Sequence, residues 1–207
     1  MKLFLASEAK NPQTIKKLDS YVGGLRDKRI AYIPTAANGE AWGSWRDGGS
    51  WNLAQTLNAQ ITLLQLEDSS LEVTREKLQH QDIIWVAGGL CGYLMYWMRR
   101  RKMDVVLPQI LDGGTLYVGS SAGSMVTSKT LDISEWYPSD QEYGAHFIPG
   151  LGLVDFDIYP HFEEGQQEDI KSWYRGKKLY MLKNGEEIIV EDKKVIVVGE
   201  ERLLVNG

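Results

Sequence analysis

TLYVGSSAGSMV, residues 115–126, sets strand-forming residues directly against a run of small ones and spaces three serines among them. A strand that passes at once into a helix must turn sharply. A side chain exposed at the apex of that turn tolerates only small residues two places before and two places after it. Ser120 is flanked at those places by Val118 and Ala122, Ser124 by Ala122 and Val126, and Ser121 by Gly119 and Gly123. Only Ser121 meets the steric rule, as the centre of G-x-S-x-G. The stretch therefore predicts a strand over 115–120, a sharp bend at Ser121, a helix starting in GSMVTSKT, and a hydroxyl presented as a nucleophile.

Outward from this bend the chain alternates apolar runs with amphipathic ones. KLFLA (2–6), RIAYIPT (29–35), ITLLQLE (61–67) and DIIWVAGG (82–89) are short, apolar and bounded by polar residues or glycine. Strands of a parallel sheet covered on both faces have this appearance. Between them lie helical stretches. NPQTIKKLDSYVGG has Asn11 to cap it, Pro12 in its first turn and Gly23 at its end, while LEVTREKLQH and GYLMYWMRRRKMDVVLPQILDGG keep the 3.6-residue period. The alternation predicts an α/β protein with a doubly wound, mostly parallel sheet. Residues 177–207 change character to short strands joined by turns, with Asn184-Gly185 a hairpin signal. They predict antiparallel strands added at a sheet edge or as a flap. One domain spanning 1–207 accommodates all of this. The stretch 36–52, rich in glycine and carrying three of the seven tryptophans, reads as a loop over the ligand crevice.

Composition removes several classes of function. A formal charge of -5 gives no electrostatic reason to bind nucleic acid or an anionic membrane. The single cysteine, Cys91, excludes an internal disulfide and suits a reducing, cytoplasmic setting. No run reaches the length of a membrane span, and the N-terminus lacks the pattern of a signal peptide. One cysteine and three scattered histidines form no metal-ligand spacing, so neither metal nor cofactor is expected.

A serine hydroxyl needs a base, most often histidine. His80 ends an amphipathic helix, and His146 stands before a Pro-Gly turn. His161, in VDFDIYPHFEEG, ends a predicted strand downstream of the bend and is the preferred base, with His146 the substitute. The separation from Ser121 is 40 residues (161 − 121), short for an α/β-hydrolase and indicative of a smaller hydrolase. Candidate orienting acids are Asp132, Glu135, Asp140 and Glu142, and beside the histidine Asp155, Asp157, Glu163 and Glu164. An oxyanion hole needs two backbone donors, here the N–H of Ala122 and one from Gly88-Gly89 in VAGGL.

AGG at a strand end, YVGSSAGSMV some way on and DIYPHF beyond it together resemble peptidase family S51, the family of dipeptidase E and cyanophycinase. The resemblance runs from the first strand to about residue 165. It implies a flavodoxin-like or class I glutamine amidotransferase-like α/β fold and a serine peptidase of short peptides. Ser121 would be the nucleophile, His161 the base, and Gly88, Gly89 and Ala122 the oxyanion hole. The family's acid follows its nucleophile by a short interval that lands near Glu135, with Asp132 behind it. Dipeptidase E also carries an arginine-bearing segment after its histidine. The equivalent EEGQQEDIKSWYRGK is acidic, with Arg175 its only arginine. The expected partner is a small peptide, with room for a homodimer. The alternatives are another serine acyl hydrolase, an esterase or amidase, and a ligand-binding or regulatory module that kept the fold without turnover.

Overall fold

A computed structural model describes residues 1–39, 49–138 and 141–206. In chain order the strands are β1 (Lys2–Ala6), β2 (Arg29–Ile33), β3 (Gln60–Leu63), β4 (Ile83–Val86), β5 (Leu116–Ser120), β6 (Asp157–Tyr159), β7 (Lys178–Met181), β8 (Glu187–Glu191), β9 (Lys194–Val198) and β10 (Leu203–Val205). The helices are α1 (Pro12–Tyr21), α2 (Thr35–Asn38), α3 (Gly49–Thr56), α4 (Leu71–Leu78), α5 (Cys91–Arg100), α6 (Met103–Asp112), α7 (Ala122–Met125), α8 (Asp132–Trp136) and α9 (Gln167–Trp173). Of the tryptophan-bearing stretch 36–52, residues 40–48 lie outside the described residues. Its two ends are helical, and Trp51 packs on Tyr32 with ring centroids 5.4 Å apart.

The expected doubly wound sheet is present. Seven strands run in the order β3-β2-β4-β5-β1-β8-β9, the first five parallel and the last two antiparallel. Successive side chains on a strand point to opposite faces, and both faces are buried. Leu3, Leu5, Ile84, Val86 and Tyr117 join one core with α5 and α6, while Phe4, Ala6, Ile83, Trp85 and Val118 join a second with Leu18 of α1 and Ala54 of α3. A separate three-stranded sheet, β10-β7-β6, packs its Ile158, Leu179 and Tyr180 into the first core.

Two local expectations are corrected. The run 92–114, read as one helix, is broken at Lys102, whose φ of 51° separates α5 from α6. Asn184-Gly185 closes no hairpin. Its flanking strands go to different sheets, β7 pairing with β6 and β10, and β8 with β1 and β9. The hairpin lies one turn later, between β8 and β9. Asp192 and Lys193 there take φ of 45° and 75°, the positive values a two-residue hairpin needs.

The turn from β5 into α7 is possible only without side chains at its flanks. A Cβ on Gly123 would stand 2.2 Å from the Val86 carbonyl oxygen, and one on Gly119 would stand 2.6 Å from the Gly123 carbonyl oxygen. Both obstacles are backbone and cannot swing aside. Gly123→Ala is expected to lower stability by about 3 kcal/mol, seen as a lower Tm and denaturant midpoint. Gly165→Ala, with nothing within 4 Å of its Cβ, should stay within about 1 kcal/mol of the parent.

β8 also buries Glu187 completely, on the face that carries α1. Burial pushes its carboxyl up to about 7 from an ordinary 4.5, against the pull of Lys17. A carboxyl raised in the fold contributes stability at low pH that is lost as the pH climbs from 4.5 to about 7. Glu187→Gln lacks that titration. Its stability relative to the parent should therefore improve across this window by an amount on the order of 3 kcal/mol. Thermal melts of both proteins from pH 4.5 to 8 check the sign.

Candidate active site

Each of the three serines in GSSAGS has a different place. Ser120 is buried and its Oγ accepts the Ala9 N–H at 2.9 Å. Ser124 is fully buried and donates to the Ala6 carbonyl at 2.8 Å. Ser121, between them, has φ 50° and ψ −113° and makes no capping bond to α7. A side chain-bearing residue rarely adopts that backbone, and it persists only where its surroundings enforce it. Here the Ser121 N–H donates to the Ala6 carbonyl at 3.1 Å, and its own carbonyl accepts from Ser124 and Met125 at 2.8 and 2.9 Å. Tyr117, wholly buried, fixes the far side of the bend by donating its hydroxyl to the Gly123 carbonyl at 2.6 Å.

The hydroxyl so presented meets His161, whose Nε2 lies 3.0 Å from Ser121 Oγ. The ring arrives from the second sheet. Two residues after β6 the chain turns at His161 with φ 53°, and the Tyr137 hydroxyl bonds the Pro160 carbonyl at 3.0 Å just before it. The other ring nitrogen, Nδ1, lies 2.6 Å from Asn184 Oδ1. Ser7 completes the arrangement: it accepts the His161 backbone N–H at 2.8 Å and donates to the same Asn184 oxygen at 3.2 Å. An amide oxygen receiving two donors requires Nδ1 to carry its proton. The Nε2 lone pair is then left facing the serine, the tautomer a general base needs.

Glu135, the expected orienting acid, does not reach His161. Its Oε2 lies 3.0 Å from His146 Nδ1, and the His146 ring holds this carboxyl below the usual range. The substitute base, His146, is thereby placed with Glu135 and not with Ser121. Asp132 begins α8 and lines a cavity of about 430 Å³ with Trp136, His146 and Trp173. Glu142 accepts the first two amides of α5, at 2.8 and 2.7 Å. Asp157 accepts from the Tyr174 hydroxyl, and Glu163 caps the turn that follows His161. Asp140 lies outside the described residues. Arg175 spends its guanidinium on the Ser172 and Tyr174 carbonyls at the end of α9. The neighbour of the imidazole is thus a neutral amide that the sequence had suggested only as a turn residue. Ser7 carried no signal at all.

Gly88 and Gly89 follow β4 at the same sheet edge, next to β5. A Cβ on Gly88 would fall 3.1 Å from Ser121 Cβ, and one on Gly89 (φ 135°) would strike the Ala36 backbone at 2.3 Å, so this turn runs along the serine without side chains. Ala122 opens α7, where a backbone amide has no partner one turn back. A hydroxyl, a correctly tautomerised imidazole and nearby backbone amides constitute the equipment for acyl transfer.

Known proteins resemble this chain along most of its length. The chain is 28% identical over 207 residues to an uncharacterized peptidase of Pasteurella multocida (strain Pm70), covering 97% of this chain and 99% of that one. It is 26% identical over 176 residues to peptidase E of Nostoc sp., over 85% of this chain and 67% of its relative. The crystal structure of a peptidase E candidate from Listeria monocytogenes EGD-e superposes with a TM-score of 0.80 at 26% identity, across 95% of this chain and 97% of that one. A profile of peptidase family S51 matches residues 3–198, nearly the whole length described above, and the chain belongs to that family.

Proposed function

We propose that this peptidase is a serine exopeptidase of short peptides, working through Ser121, His161 and Asn184. The observation that carries the reading is the 3.0 Å approach of His161 Nε2 to Ser121 Oγ, with Nδ1 engaged by Asn184 on the far side of the ring. Ser121 Oγ attacks the scissile carbonyl as His161 takes its proton. The oxyanion is held by the N–H of Ala122 with Gly88 or Gly89, and His161 then hands the proton to the departing amine. Water, deprotonated by the same imidazole, attacks the acyl-enzyme and frees Ser121. Asn184 keeps the ring in its working tautomer and orientation, the part an asparagine plays in Cys-His-Asn peptidases.

The neutral third member favours one second reading, a module that binds peptide-like ligands on the same fold without turnover. Among the described residues no carboxylate is hydrogen-bonded to the His161 ring, and the stabilisation of an imidazolium by a neighbouring anion is forgone.

Fluorophosphonate labelling separates the two. The active peptidase is expected to label at Ser121, and a folded protein that resists the probe would sink the hydrolase reading. On whichever member of an Asp-X, Glu-X and neutral dipeptide panel is cleaved, Ser121→Ala should lower kcat by at least about 10⁴-fold. Full activity in that variant would end the proposal. Asn184→Asp is expected to stay active, because a carboxylate accepts the Nδ1 proton equally well. It should also move the acid limb of the pH–rate profile upward by about one unit or more, since an adjacent anion favours the protonated ring.

A further inference from the structure

The turn that delivers Asn184 is itself gripped from two sides. Within it, the Glu186 N–H returns to the Lys183 carbonyl at 3.0 Å and Gly185 takes φ 89°. On one side, Glu186 accepts the Lys183 N–H at 2.8 Å and Arg202 at 2.7 Å, tying the turn to the segment before β10. On the other side stands α1. Lys17 Nζ donates to the Gly185 carbonyl at 2.7 Å and lies 3.0 Å from Glu187 Oε1. Thr14, one helical turn earlier on the same face of α1, donates to Glu187 Oε2 at 3.4 Å.

An ion pair that buries a carboxylate completely is a poor way to gain stability. The lost hydration offsets much of the attraction, and apolar residues of the same size often do as well. Glu187 occupies a position where its neighbour two residues on, Ile189, packs into the second core, so an apolar residue would fit the pattern there. What an apolar pair cannot do is hold a backbone carbonyl at a fixed point. The carbonyl in question belongs to the residue next to Asn184, whose Oδ1 must stay at 2.6 Å from His161 Nδ1.

We propose that Lys17 is a positioning residue for the peptidase reaction. Anchored by Glu187, it pins the Gly185 carbonyl so that Asn184 keeps the His161 imidazole aligned on Ser121. Lys17 touches neither substrate nor reacting atoms, and acts through Gly185 and Asn184. The proposal rests on the Ser121–His161–Asn184 reading, and the experiment is chosen to separate the two.

Five proteins are used: the parent, Lys17→Arg, the double variant Lys17→Met/Glu187→Gln, Ser121→Ala, and His161→Gln as the reference for assignment. The double variant removes the cation and the buried charge together, so no unpaired carboxylate is left to unfold the protein. Fluorophosphonate supplies kinact and KI, thermal melts report folding, and proton NMR follows the downfield His161 Nδ1–H resonance, assigned by its absence in His161→Gln. The folded double variant should lose about tenfold or more in kinact with KI unchanged and its downfield resonance broadened or lost, and Lys17→Arg should stay within about threefold of the parent. Parental kinact and an intact resonance in the folded double variant would overturn the role of Lys17. So would a loss confined to KI. Labelling of Ser121→Ala at the parental rate would instead bring down the underlying reading, whatever the Lys17 variants do.

Discussion

The site depends on a serine backbone held where serine does not go by itself. Conformations of this kind cost on the order of 1–3 kcal/mol, and at Ser121 the surroundings supply the constraint. The register of β1 on β5, Ala6 opposite Ser120, brings the Ala6 carbonyl to the bend. There it receives both the Ser121 N–H and the Ser124 hydroxyl. With Gly119 and Gly123 packed against backbone on the inside of the turn, the Ser121 side chain has one way to point. Because the strain is imposed by strand pairing, the Ser121 hydroxyl is as fixed as the sheet itself.

The same few residues after β1 reach the second half of the site. Ala6 holds the bend through its carbonyl, Ser7 holds the imidazole residue and its amide partner, and the Ala9 N–H is anchored by Ser120. Ser121 follows a strand of the seven-stranded sheet and His161 follows a strand of the three-stranded one. This short segment is hydrogen-bonded to both, which is how a 3.0 Å contact can be maintained between groups on different sheets. His161, like Ser121, has a positive φ, so both side chains of the contact are aimed by enforced backbone geometry.

The bend and the parallel sheet were legible in the sequence because the rules behind them are local. Two missing side chains around Ser121 and apolar runs at strand length need no knowledge of distant contacts. His161 was singled out for a related reason, as a histidine at a strand end downstream of the bend, and its Nε2 stands 3.0 Å from Ser121 Oγ. The partner of the imidazole was not. Asn184-Gly185 carries a turn signal that is correct as far as it goes, with Gly185 at φ 89°. A turn signal says nothing about whether the flanking strands pair with each other. Here they part to different sheets, and the exposed asparagine between them turns its amide oxygen to the His161 ring. Glu135 was favoured because the acid of the resembled family falls near that position, yet α8 places it against His146. The break at Lys102 was hidden by a helical period that runs on either side of it.

The strand order has a consequence for the order in which the molecule can become competent. β1 is flanked by β5 and β8, strands that follow it by more than a hundred residues. The amide that orients the imidazole stands immediately before β8. Contacts of such sequence separation form late, since the intervening loop must close first. The parallel strands can therefore pair before Asn184 is brought beside His161. The contact between Asn184 and His161 is completed only when β8 is laid against the first strand, so the two halves of the site are joined by a pairing that spans nearly the whole chain.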